Sequence, residues 1–105
     1  MESLGCWKDK IPRALKDAEE SNSILDGSYP KRERAIGKCY DTAKSMGRKV
    51  FAVQDGGQCF TEPADHPEAH RKYGTSDKCK SDGEGGPLAN EVYKILESNY
   101  PTSKI

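Results

Sequence analysis

Oxygen-bearing side chains crowd one short stretch, "CKSDGEGGPLANEVY", from Cys79 to Tyr93. Asp82, Glu84, Asn90 and Glu91 stand there among Gly83, Gly85, Gly86 and Pro87. Two chemistries fit this set. Carboxylates and amides pair with sugar hydroxyls, and oxygen ligands on a glycine-rich loop suit a hard cation such as Ca²⁺, for which Asp82 and Glu84 are the candidate metal ligands. The acids do not follow the EF-hand spacing. The glycines have a simpler task, to supply positive φ while Pro87 stiffens the turn. Carboxylates this close repel unless a positive charge lies near, and Lys78 and Lys80 are the sequence neighbours that would supply it.

Other candidates are more scattered. Gln54 and Asp55 are expected at a hairpin tip, where binding modules place polar contacts. Trp7, the only tryptophan, would be a stacking platform for a sugar if exposed, but in a chain so poor in apolar mass it is expected in the core. Tyr29, Tyr40, Tyr73 and Tyr93 pose the same choice less specifically. His66 and His70 stand four apart, but Pro67 occupies the place of the metalloprotease glutamate, so they read as two surface histidines. "KRER", Lys31 to Arg34, reads as a solvated mixed-charge face at a helix start. There is no G-x-S-x-G, no phosphate loop and no nucleophile motif around a histidine, so no enzyme activity is expected.

The elements that must hold these residues are few. The chain has 105 residues, 33% of them hydrophobic and 32% charged, which predicts one domain with a thin core. Lys plus Arg and Asp plus Glu each number 17, so no net charge draws the chain to nucleic acid or anionic lipid. No stretch is long and apolar enough for membrane insertion. Cys6, Cys39, Cys59 and Cys79 include no C-x-x-C pair and read as two disulfides, hence an oxidising compartment. No apolar run follows Met1, so the chain is expected to be a mature fragment of a secreted protein. Four cysteines allow three pairings. Cys39–Cys59 would tie a helix to the sheet and leave Cys6–Cys79 to anchor the acidic loop to the N-terminal patch; this pairing is the one favoured.

"LGCWKD" reads as an edge strand, and Lys16 to Pro30 as a surface loop with one helical turn near Leu15 to Glu20. Ala35, Ile36, Cys39, Ala43 and Met46 fall on one face of an α-helix within Pro30 to Gly47, with Ser28 as its cap and Gly47 as its left-handed stop. Gly37 within it is expected to let the helix approach a strand. "KVFAVQ" and "QCF" flank the turn Asp55-Gly56-Gly57 as a hairpin. "DHPEAHRKYG" reads as a short helix, and "NEVYKI" as a final strand. The domain is expected to span residues 1–95, with 96–105 a loose tail.

The order "GCWKD", "RAL", a helix carrying Cys39, "FAV" leading to "GGQC", then Cys79 followed by "GG" and "VY" resembles the WSC domain. It is most similar to the WSC-like modules of extracellular proteins in cnidarians and other marine invertebrates, over roughly Leu4 to Ile95. The cysteine complement is smaller than is common in that family. The frame carried over is Gly5, Cys6, Trp7, Asp9, Arg13, Cys39, Cys59, Cys79, Gly85, Gly86, Val92 and Tyr93, most of it structural. The resemblance implies a secreted α+β module akin to PAN/apple folds, one main helix packed on an antiparallel sheet, with a carbohydrate-binding or adhesive role. The expected function is therefore a secreted lectin-like or adhesion module, calcium-assisted or without cofactor, whose partner is a glycan or matrix ligand. The alternative is a structural module for protein–protein interaction in an extracellular matrix or cell-surface protein. A disulfide-framed inhibitor with Lys16 to Pro30 as its reactive loop ranks last.

Overall fold

The continuous apolar run "VFAV" and its partner "QCFT" build the hairpin on which the sheet is assembled, buried on both faces. The computed structural model describes residues 1–20 and 23–96; the expected C-terminal tail, apart from Leu96, lies outside the described residues. The elements are β1 (Glu2–Lys8), β2 (Lys16–Asp17), α1 (Ala35–Ser45), β3 (Val50–Gln54), β4 (Gln58–Thr61) and β5 (Ala89–Lys94), with single 3₁₀ turns at Tyr29–Lys31 and Ala69–Arg71. The five strands form one antiparallel sheet in the order β1-β5-β3-β4-β2. The fold is thus α+β, with one helix packed on the sheet, and the disulfides are Cys39–Cys59 and Cys6–Cys79.

Strand alternation sends the two sheet faces to different layers. Phe51, Val53 and Cys59 face α1 and meet its Ala35, Cys39 and Ala43. Ala52, Phe60 and Val92 face the other way, under Leu15 and Ala69. Phe51, Phe60, Val53 and Val92 are the large apolar side chains with no appreciable exposure, and alanine, cysteine and threonine fill much of the rest. The core is as thin as the composition implies.

Helix α1 buries the expected face, and Gly47 ends it. At φ +72° Gly47 donates to the Lys44 carbonyl and Arg48 donates to that of Ala43, a Schellman closure. Its start differs from expectation. Ser28 makes no side-chain cap and precedes the 3₁₀ turn, while Arg34, in the left-handed region, begins α1. Nor does Gly37 mark a close approach, because a Cβ there would meet only the Arg34 guanidinium, at 3.7 Å. The short helix expected over "DHPEAHRKYG" shrinks to one 3₁₀ turn, behind Glu68 at positive φ.

The span from Lys16 to Pro30 is not a plain surface loop with a helical turn. Lys16 and Asp17 pair with Thr61 and Phe60, the Ala18 N–H continues to the Cys59 carbonyl, and Ala18 and Leu25 are buried. Arg32 explains why. Its guanidinium is buried, bonds both Glu19 oxygens at 2.8 and 2.9 Å, and donates to the carbonyls of Asp26 and Gly57. Glu19 in turn accepts the Cys59 N–H at 2.7 Å. One residue of the "KRER" run is therefore an internal clamp, and the run is not a uniformly solvated face. Arg32→Leu removes the charge partner of Glu19, leaving it only the Cys59 N–H, and takes this donor from the Asp26 and Gly57 carbonyls. It is expected to lower the unfolding free energy by about 3 kcal/mol, read from urea denaturation; a loss below about 1 kcal/mol would contradict the clamp.

Candidate functional site

Two loops meet at one end of the sheet. The β3–β4 turn places Asp55 (φ +54°) and Gly56 (φ +92°) between Gln54 and Gln58, and the Gly56 N–H donates to the Glu84 carbonyl at 3.2 Å. The second loop runs from Cys79 to Leu88 and is pinned at its start and its middle. Cys79 is bonded to Cys6 of β1, and the Tyr93 hydroxyl of β5 donates to the Gly83 carbonyl at 2.7 Å. The Glu84 N–H donates to the Asp82 carboxylate at 2.9 Å, and the Lys80 N–H to the Gly85 carbonyl at 3.0 Å. Gly85 is required here. It has φ +74°, and a Cβ would collide with the Val53 carbonyl of β3.

The product is a small polar notch of about 210 Å³ lined by Asp55, Lys80, Asp82 and Glu84, with Pro30 and Gly56 among its walls. Asp55, from the hairpin, and Asp82 and Glu84, from the acidic loop, are thus brought together across 27 to 29 positions of sequence. Asp55 and Asp82 are exposed, and Glu84 and Glu91 half-buried. Lys80 lines the notch beside them without a direct contact: among the described residues Asp82, Glu84 and Glu91 form no ion pair. Burial first, and the Asp82 charge second, push the Glu84 and Glu91 carboxyls above the ordinary glutamate value. The Tyr93 hydroxyl is pushed up to about 12, chiefly by burial and then by Glu91, Asp82 and Glu84. Among the described residues no group of three or more His, Cys, Asp or Glu side chains is arranged to hold a metal ion.

The other sequence candidates lie elsewhere. Gln54 is not at the tip but is the last residue of β3 and buried, and Asn90 is fully buried beside it in β5. The Gln54 amide donates to the Asn90 carbonyl oxygen at 2.8 Å and to the Asp9 carboxylate at 2.9 Å. Asp9 also takes Arg13 and the Ala14 N–H. Gln54 therefore ties the N-terminal segment to the sheet through Asp9, while Asn90 accepts from Gln54 and keeps a buried amide nitrogen with no partner among the described residues; neither amide faces solvent.

Trp7 is half-buried. Its indole N–H donates to the Leu4 carbonyl, His70 packs edge-on at 5.2 Å, and the Arg71 guanidinium sits over the ring at 5.5 Å. The ring packs against the second core layer without being sealed in it, and it also lines an open cleft with Leu4, Val50 and Pro67, so it is less buried than a core tryptophan. The histidines are not a surface pair. His66 is exposed beside Asp65, whereas His70 is buried, bonded to the equally buried Glu62 at 2.8 Å. No family model matches the chain, and no curated protein matches it.

An acid whose pKa is raised by folding stabilises the fold below its ordinary value, and that stability is lost as pH rises through the raised value. At neutral pH Glu84 is therefore a liability. Glu84→Gln is expected to melt above the native chain at pH 7, with the gap narrowing toward pH 4. A variant that melts lower at pH 7 would mean that the carboxylate has a favourable partner.

Proposed function

We propose that this chain is a secreted carbohydrate-binding or adhesion module that engages a glycan or matrix ligand at the notch of Asp55, Asp82 and Glu84. The observation that supports this most is the convergence of three carboxylates from two loops on one small concavity with no cation paired to them. Such oxygens accept hydrogen bonds from vicinal sugar hydroxyls, each bond to a charged acceptor contributing about 1.5–3 kcal/mol. The loops are held from beneath by backbone bonds and the Cys6–Cys79 bridge, so little conformational freedom is lost on binding.

Two disulfides suit an oxidising, extracellular setting, and no described helix is long and apolar enough to cross a membrane. The resemblance of the motif order to the WSC domain, though no family model matches the chain, supports the same class of function, binding. Any calcium would bridge Asp82 and Glu84 to the sugar, whose oxygens and water would have to fill most of its six to eight positions, since no ready-made metal cluster stands among the described residues.

A glycan array probed with and without calcium tests this directly. The native chain is expected to give discrete hits, and Asp82→Ala with Glu84→Ala to weaken them at least roughly tenfold. An array blank under both conditions would overturn sugar binding. Concentration-dependent light scattering would then favour a protein-interaction module.

A further inference from the structure

A net charge of zero conceals a segregation of charge. The segment from Glu62 to Lys72, which covers the sheet face opposite α1, is flanked by two grooves that share Pro63 and Pro67. One has an apolar floor of Ala14, Leu15 and Ala69 and a rim that includes Lys16 and Lys72. The other carries Arg48, Lys49 and Lys94. Of the acids in this segment, Glu68 pairs with Arg71, Glu62 bonds buried His70 while also lining the second groove, and Asp65, beside His66, interacts electrostatically with Arg48. Lys16, Arg48, Lys49, Lys72 and Lys94 form no ion pair among the described residues. The Arg48 Nε is buried with no hydrogen-bond partner among them.

We propose that this basic band around Pro63 and Pro67 binds a linear anionic polysaccharide, sulfated or uronic. The five cations line two open grooves on either side of Pro63 and Pro67, a layout that matches a chain of repeated anions better than a single compact one. Single-stranded nucleic acid would want aromatic faces to stack on, and the floor supplies only alanine, leucine and proline while Trp7 lines neither groove. With no net charge, attraction to a polyanion must come from this local field alone, so it is screened within a Debye length. The band is separate from the acidic notch in residues and in charge.

The test is retention on immobilised heparin beside its desulfated counterpart, with a DNA oligonucleotide as competitor. The native chain is expected to bind heparin at 50 mM salt and to lose roughly tenfold or more in affinity by 200 mM, as phosphate-binding proteins do. Lys16→Glu with Lys72→Glu should abolish retention. Lys31→Glu with Lys44→Glu, the same charge change elsewhere, should keep it, as should the notch variant Asp82→Ala with Glu84→Ala. No retention of the native chain at 50 mM salt, equal loss in both lysine pairs, or displacement by DNA at least as effective as by free heparin would each overturn the proposal.

Discussion

The bond between Cys39 and Cys59 joins α1 to β4 across the layer that contains Phe51 and Val53, and most of the helix-side packing depends on it. Few large apolar side chains are sealed in the core, so the two sheet faces cannot be held by burial alone at about 25 cal/mol per Å². Closing 20 residues here and 73 through Cys6–Cys79 restricts the unfolded chain by about 3 and 4 kcal/mol in the loop-entropy picture. Small domains have net stabilities of about 5–15 kcal/mol, so these links are of the same order as the whole.

Polar clamps complete what the bridges begin. Arg32 and Glu19 fasten the span after β2 to the hairpin, and Asp9, Gln54 and Asn90 fasten the segment after β1 to the opposite face. The charged groups left over are divided between the two ends of this frame. Carboxylates gather where the β3–β4 turn meets the Cys79–Leu88 loop, and cations gather around Pro63 and Pro67. A neutral chain thereby presents two surfaces of opposite sign, each on backbone held from behind.

What could be read from residues alone followed from local pattern. The apolar face of α1, its stop at Gly47, the hairpin around Asp55-Gly56-Gly57 and the last strand each leave a short-range signal in type or spacing, whereas the disulfide pairs, 20 and 73 positions apart, rested on where those elements would bring the cysteines. What escaped was the burial of polar residues. Gln54 and Asn90 look like surface groups until Asp9 is brought to them, from 45 positions away in the case of Gln54. His70 needs Glu62, and Arg32 needs Glu19 and a set of carbonyls, none of which a charge run reveals. Strand β2 has two residues and no periodicity to detect. In the candidate site, Asp82 and Glu84 were visible as a loop, but their meeting with Asp55 depends on the Gly56–Glu84 backbone contact and hence on the tertiary fold.

The dependence of the fold on its sulfur links is tested most directly by recording amide proton NMR spectra of the native chain before and after full reduction at neutral pH. The account predicts that the dispersed spectrum of the oxidised chain collapses to the narrow range of an unfolded one once all four thiols are free. A reduced chain that keeps its native dispersion would show that the apolar core and polar clamps suffice, and would contradict the claim.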